Sequence, residues 1–443
     1  MSLSSSLSAS ASTSPLLSSS TASPIMMNRQ WILKRRPVGI FDPKLDVELI
    51  TTNEDNEDDL KDNEIVVRPE LLSVDAFLRT MCDENAPYHG RIELAGGKGD
   101  TGKGKEGTNA STKSRPFPAI GFGTVIKAGA KSGHTVGKRV TGMLGAADTV
   151  TVDGAQVFRA MKFPLLPLSA SLGLMGLTAG LTAYCGVFYV ASKRPSKGET
   201  VVVTGAAGSV GSIAVQLLKY CGARVIGVAG GTKKAQYLME ELKCDGVIDY
   251  KDTKNRKLHE QIEALCPDGI DFIYDNVGGT ILDALLYRIN PKGRVVICGA
   301  ISQYSGKLNT ENKETGGKSK VEGPSNYLKL AERGAEMKGF NVMQYMMKLP
   351  LMVIGMYYLY LRGYVTVQEH IEDGLGTEYV PYVMLPSVPS SLSLPFLIIS
   401  PRFFFLPLFL LLLSLRFFVE QFPYALQKLF TGETIGKTLV KLN

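Results

Sequence analysis

Histidine is scarce in this chain. Its four residues in 443 are His89, His134, His259 and His370, and no two are close in sequence. That spacing speaks against a His-rich metal site, although distant ligands can converge. The six cysteines, Cys82, Cys185, Cys221, Cys244, Cys266 and Cys298, form no CxxC pair and no Cys/His cluster. This argues against a structural zinc site and a secreted disulfide framework, and predicts free thiols in a reducing compartment. Charge of one sign is lacking too. Lys and Arg number 49 against 42 Asp and Glu, and four of the cations (Arg29, Lys34, Arg35, Arg36) precede the first acid, Asp42. The remainder is near neutral, so no nucleic-acid partner is expected. Residues 1–25 lack charge altogether and are rich in Ser, Thr and Ala. Such a stretch cannot belong to a packed core. The tail 1–26 reads either as a disordered segment upstream of a start at Met26 or Met27, or as a transit peptide without arginines before Arg29. The expected compartment is the cytoplasm, with plastid or mitochondrion as the alternative.

What is present indicates a soluble globular enzyme, 44% hydrophobic and 21% charged, and long enough for two domains. Residues 53–62 form an acidic loop between strands, and 95–115 read as a flexible insertion rich in Gly, Lys, Ser and Thr. Within it, Gly97 to Lys103 spells most of a phosphate-binding P-loop, but Gly104 stands where Ser or Thr is required, and no strand precedes it. Residues 376–419 contain Pro381, Pro386, Pro389, Pro395, Pro401 and Pro407 and the apolar run Phe403–Leu415. The run is shorter than the roughly 20 residues a spanning helix needs, and Pro407 interrupts it. Phe, Leu, Ser and Pro have pyrimidine-rich codons, so the segment is expected to be translated intron. A membrane-associating insertion is the competing reading. No membrane partner is expected otherwise.

The most informative stretch is Thr200-Val-Val-Val-Thr-Gly-Ala-Ala-Gly-Ser-Val-Gly-Ser212. A buried strand feeds a Gly-rich turn that opens a helix with apolar residues at Val210, Ile213, Ala214, Leu217 and Leu218. A helix N-terminus with small residues before it cradles an anion through free N–H groups and the helix dipole. Gly205, Ala206, Gly208, Ser209, Val210 and Gly211 occupy a dinucleotide fingerprint, with Ala206 replacing its first glycine. An ordinary strand-to-helix turn would share these residues. Context decides: strand runs recur at Arg224–Ala229, Val247–Tyr250, Ile270–Tyr274 and Arg294–Cys298, with helical patterns between most of them. One such helical face is Ile281, Leu282, Leu285, Leu286 and Ile289. This alternation predicts an α/β fold with a doubly wound parallel sheet. At the end of the second strand, Ala229-Gly-Gly-Thr-Lys-Lys234 carries Lys233 and Lys234 and no acid before Glu240. That favours NADP(H) over NAD.

The chain resembles the medium-chain dehydrogenase/reductases, specifically the zinc-independent branch of prostaglandin and alkenal reductases, and looks closest to the bacterial curcumin-reductase type. The matching stretches are Asn28–Leu33, Ser73-Val-Asp75 with Arg79, Leu181–Tyr184, Gly205–Ser212, Ile248–Tyr250, Asp275–Gly279, Cys298–Tyr304, Met337–Phe340 and Gly436-Lys437. The resemblance implies a GroES-like β-barrel catalytic domain over 27–165 and 340–443, interrupted by the apolar insertion 376–419, with a Rossmann domain over 166–339 between its parts. It implies no metal: Gly121-Phe-Gly123 stands where zinc-dependent relatives carry Gly-His-Glu. The implied activity is NADPH-dependent reduction of the double bond of α,β-unsaturated ketones and aldehydes, by a possible homodimer, with Tyr304 and Tyr88 as catalytic residues. Lys234 and Tyr250 would face the 2′-phosphate and Asn276 the ribose or nicotinamide. Cys298, Gly299, Ala300, Ile301, Ser302 and Phe340 would line the nicotinamide. The chain departs from the family at Asp75-Ala-Phe-Leu-Arg79, at Thr434, where Asn is usual, and by one added residue within 176–180. Alternatives are a quinone oxidoreductase of the same superfamily and a non-catalytic nucleotide-binding or membrane-associated adaptor.

Overall fold

The computed structural model describes residues 27–53, 60–84, 86, 90–94, 115–252, 257–305, 311–312, 317–318, 323–367, 370–371, 377–380 and 419–442. The tail, the insertion at 95–114, Tyr88 and residues 381–418 lie outside them.

Two sheets organise the chain. The first is six-stranded and parallel, built from Thr200–Thr204, Arg224–Ala229, Gly246–Asp249, Ile270–Asp275, Ile289–Ile297 and Glu336–Gly339. Counted along the chain, these lie in the order third, second, first, fourth, fifth, sixth. This is the doubly wound Rossmann order, and the reversal between first and fourth strands opens a ligand crevice at their carboxyl ends. The central strands are buried on both faces, which explains their unbroken runs of Val and Ile.

The second sheet is eight-stranded and curls on itself. Glu64–Ser73 pairs with Ile120–Ala128, with Val150–Asp153 and with Lys437–Lys441, and Arg139–Met143 and Val157–Arg159 extend it. Asn53 and Glu64 end and begin strands on either side of the acidic loop. Leu71, Phe122 and Leu439 of this sheet share one hydrophobic core with Val201, Val203 and Ala206 of the first. The two sheets are therefore packed together beside the Gly-rich turn.

The structure corrects the sequence reading in places. Ile289 is not on the helix Gly279–Leu286; it begins the next strand. The helical spacing runs on because that strand also starts buried. The helix Ser209–Tyr220 buries more than the expected stripe: Ser212, Val215 and Gln216 are covered as well. Its second side faces the helix Gly180–Cys185, and the Gln216 side chain accepts the Thr366 N–H at 3.0 Å. Residues 377–380, placed in the apolar insertion by sequence, pair with Lys437–Val440 in the curled sheet. At its other end Val419 is buried, and its carbonyl accepts the Trp31 indole N–H at 2.7 Å.

Candidate functional site

The Gly-rich turn is shaped by main chain. Gly205 has φ of +58°, open to glycine at little cost. A Cβ on Gly211 would sit 2.2 Å from the Gly205 carbonyl oxygen, and backbone cannot move aside for it. Ala206 and Ala207 are buried beneath the turn. The helix that follows starts at Ser209 with Gly208 as its N-cap, and no side chain caps it. Its first-turn N–H groups and dipole thus favour an anion. The curled sheet reaches the same turn: the Gly436 N–H donates to the Ala207 carbonyl at 2.8 Å.

Beside the turn lies a cationic corner made by three distant segments. The Nζ atoms of Lys251 and Lys234 lie 3.8 and 4.0 Å from where a Cβ on Gly432 would be. Burial, and then the charge of Lys251, hold the Lys234 ammonium below the usual lysine pKa. Tyr250 lies across Gly230, its hydroxyl 2.9 Å from a Cβ built there. Gly231, with φ of +95°, turns the chain, and Asp249 braces the corner by accepting the Gly231 N–H at 2.8 Å and the Lys251 N–H at 2.9 Å. Two clustered ammonium groups favour a dianion. Lys233, by contrast, is exposed. Lys251 was missed in the sequence; its only signal was its place next to Tyr250.

The loops after the fourth and fifth parallel strands are stitched together. Asn276 donates its side-chain amide to the Thr204 carbonyl at 2.7 Å and so anchors the entry to the Gly-rich turn. Asp275, fully buried, accepts the Thr204 hydroxyl at 2.6 Å and the Gly278 N–H at 3.0 Å; burial raises its pKa despite these bonds. The N–H groups of Cys298, Ile301 and Ser302 donate to the carbonyls of Asp275, Asn276 and Val277. Burial pushes the Cys298 thiol up to about 12, with Tyr274 as its hydrogen-bond partner, so it lines the loop as a neutral group. Tyr304 is half-buried, and its hydroxyl accepts the Ala300 N–H at 3.1 Å. Gly299 lets it approach: a Cβ there would stand 3.1 Å from that oxygen. Phe340 follows the sixth strand and donates its N–H to the Ile297 carbonyl at 3.4 Å.

The structure thus groups the named residues at the carboxyl edge of the parallel sheet: 205–211, 234 with 250, 276, 298–302, 304 and 340. Tyr88 lies outside the described residues. The segment before it is braced by the buried Arg79, which pairs with Asp83 at 2.6 Å and donates to the Pro37 and Gly39 carbonyls. On fit, the uncapped Gly-rich turn suits a pyrophosphate and the paired lysines suit a 2′-phosphate. Among the described residues, no group of three or more His, Cys, Asp or Glu side chains could hold a metal ion, and no helix is long and apolar enough to cross a membrane.

A family model described as zinc-binding dehydrogenase matches residues 209–321. A putative NADP-dependent oxidoreductase, YfmJ of Bacillus subtilis (strain 168), is 42% identical over 187 residues, 42% of this chain and 51% of that protein. The chain thus spans about half the length of that relative. An NADP(+)-dependent 2-alkenal reductase of Nicotiana tabacum is 30% identical over 320 residues, 72% of this chain and 82% of that one. Among solved structures, CurA from Vibrio vulnificus in complex with NADPH is 25% identical with a TM-score of 0.68, covering 94% of this chain and 99% of that one. Shared sequence over most of a relative's length, on this pair of sheets, shows that the chain belongs to the medium-chain dehydrogenase/reductase superfamily, in its zinc-independent branch of prostaglandin and alkenal reductases.

Proposed function

We propose that this chain is an NADPH-dependent reductase of the carbon–carbon double bond of α,β-unsaturated ketones and aldehydes. The observation that carries the reading is the meeting of Lys234 and Lys251 beside an uncapped Gly-rich turn, on the same sheet edge as Tyr304. The NADPH-bound neighbour and the 2-alkenal reductase relative support it. Bound there, the nicotinamide supplies a hydride for the β-carbon of the substrate.

The protein's part is binding, orientation and charge. The 205–211 turn fixes the pyrophosphate, and the lysine corner selects the phosphorylated ribose. Asn276 holds the turn in place from the neighbouring strand. As the β-carbon takes a hydride, negative charge grows on the substrate oxygen. Without a metal, that charge needs a hydrogen-bond donor. A tyrosine is a neutral donor at pH 7 and can also lend its proton. The Tyr304 hydroxyl accepts a main-chain N–H, and a hydroxyl polarised in this way donates more strongly. Tyr88 is proposed as a second tyrosine at the same substrate, from the barrel side.

Replacing Tyr304 by Phe should lower turnover of an enone at least about tenfold and leave NADPH affinity unchanged. Steady-state kinetics with a fluorescence titration of NADPH checks this, and unaltered turnover removes Tyr304 from the mechanism. Running an alkenal against a quinone, each with NADPH and NADH, separates the reading from a quinone reductase. No oxidation of either cofactor with any of these acceptors would leave a nucleotide-binding adaptor.

A further inference from the structure

The helix Leu349–Leu361, Leu-Pro-Leu-Met-Val-Ile-Gly-Met-Tyr-Tyr-Leu-Tyr-Leu, has no charged and no strongly polar residue. A helix that is apolar all round is ordinarily buried all round. This one is not. Met352, Met356 and Leu359 enter the core. On the opposite side Leu351 is 61% exposed, Ile354 66%, Tyr358 53% and Leu361 52%. Their spacing, i, i+3, i+7 and i+10, is one continuous stripe. The turn before the helix adds Met343, Met346 and Met347, the last 95% exposed. An apolar stripe of this length marks an interaction surface.

The charges around the stripe point to its occupant. From Phe340 to Gln368 the sequence has two cations, Lys348 and Arg362, and no Asp or Glu; Lys338, just before, is already paired with Glu336 at 3.1 Å. Lys348 precedes the helix and lies over the rings of Tyr189 and Tyr345; Arg362 follows it. Next to Tyr358 opens a cavity of about 290 Å³, lined by Tyr184, Phe188, Tyr189, Tyr220 and a third cation, Arg194. Tyr220 ends the helix whose other end is the Gly-rich turn, so the cavity is remote from the nucleotide-facing edge. A second copy docked stripe to stripe would bring cation against cation. An apolar stripe framed by cations and tyrosines is complementary to an anionic lipid surface.

We propose that this face docks on an anionic membrane surface, with Leu351, Ile354, Tyr358 and Leu361 entering the headgroup boundary and Lys348 and Arg362 meeting lipid phosphates. The protein lies on the bilayer and does not span it. The proposal does not depend on the enzymatic reading.

Sedimentation of the full chain with vesicles tests it. With phosphatidylserine and phosphatidylcholine vesicles, the chain should sediment; with phosphatidylcholine alone, the bound fraction should fall several-fold. The double variant Ile354→Glu, Leu361→Glu should weaken binding to the mixed vesicles at least about tenfold and leave NADPH affinity unchanged, since both side chains are exposed. Three results overturn the proposal. One is no sedimentation of the full chain. Another is equal sedimentation of the double variant, which moves lipid binding to some other part of the chain. The last is a full chain that is dimeric without lipid and becomes monomeric in the double variant, which makes the stripe a contact between copies.

Discussion

Replacing Lys234 and Lys251 together by Ala should raise the KM for NADPH by at least about 100-fold and leave the KM for NADH within about threefold. The size follows from the chemistry. A hydrogen bond to a charged group contributes about 1.5–3 kcal/mol, and two are lost with the 2′-phosphate. Taking the low end, because the corner is partly open to water, gives about 3 kcal/mol, or somewhat over 100-fold. NADH has no phosphate at that position, so it loses nothing. The like charges matter as well. Lys234 is held below its normal pKa by burial and by Lys251. A dianion between them relieves that repulsion; a neutral ribose does not. Either single variant should give an intermediate loss. Steady-state kinetics with both cofactors decides the matter, and a parallel loss for NADPH and NADH would place the lysines outside the 2′-phosphate site.

The other large effect concerns stability. Lys437 is fully buried and its Nζ lies 2.5 Å from the Asp75 carboxylate, which also takes a hydrogen bond from Ser73. Lys437→Met leaves that carboxylate buried without its cation. Breaking a buried ion pair from one side costs about 3–5 kcal/mol, because the remaining charge is uncompensated. Replacing both partners by apolar groups costs much less. Urea denaturation should therefore show a loss of about 3–5 kcal/mol for Lys437→Met and a partial recovery in Asp75→Leu, Lys437→Met. A single variant within about 1 kcal/mol of the parent would contradict the account. The pair matters for the site because Lys437 follows Gly436, which is bonded to the Gly-rich turn at Ala207.

Much of this was legible in the sequence, for physical reasons that differ along the chain. The strands of the parallel sheet could be read because both of their faces are buried, so Val201–Val203 and Val225–Val228 show as runs of apolar residues. The 205–211 turn could be read because its constraint is on the backbone: only very small side chains allow Gly211 and Gly205 to approach so closely. The second buried side of Ser209–Tyr220 was not legible. It is covered by residues near 180 and 366, and the polar Gln216 and Ser212 are accommodated by hydrogen bonds that no pattern of hydropathy records: Gln216 to Thr366 and the Ser212 carbonyl, and the Ser212 hydroxyl to the Ser209 carbonyl. Lys251 escaped for a similar reason. The corner is assembled from 234, 251 and 432, three segments whose meeting is tertiary. Asn276 was assigned to the ribose or nicotinamide, and its amide group is engaged with Thr204. We therefore propose that it acts on the cofactor by positioning the turn.

The most direct measurement follows one atom. NADPH carrying deuterium at the transferred position of the nicotinamide is given to the purified chain with an α,β-unsaturated ketone, before and after treatment with a zinc chelator. Magnetic resonance of the product should find the deuterium on the β-carbon, at the same rate in both samples. Deuterium on the carbonyl carbon, or turnover that stops with the chelator and returns with zinc, would contradict the account.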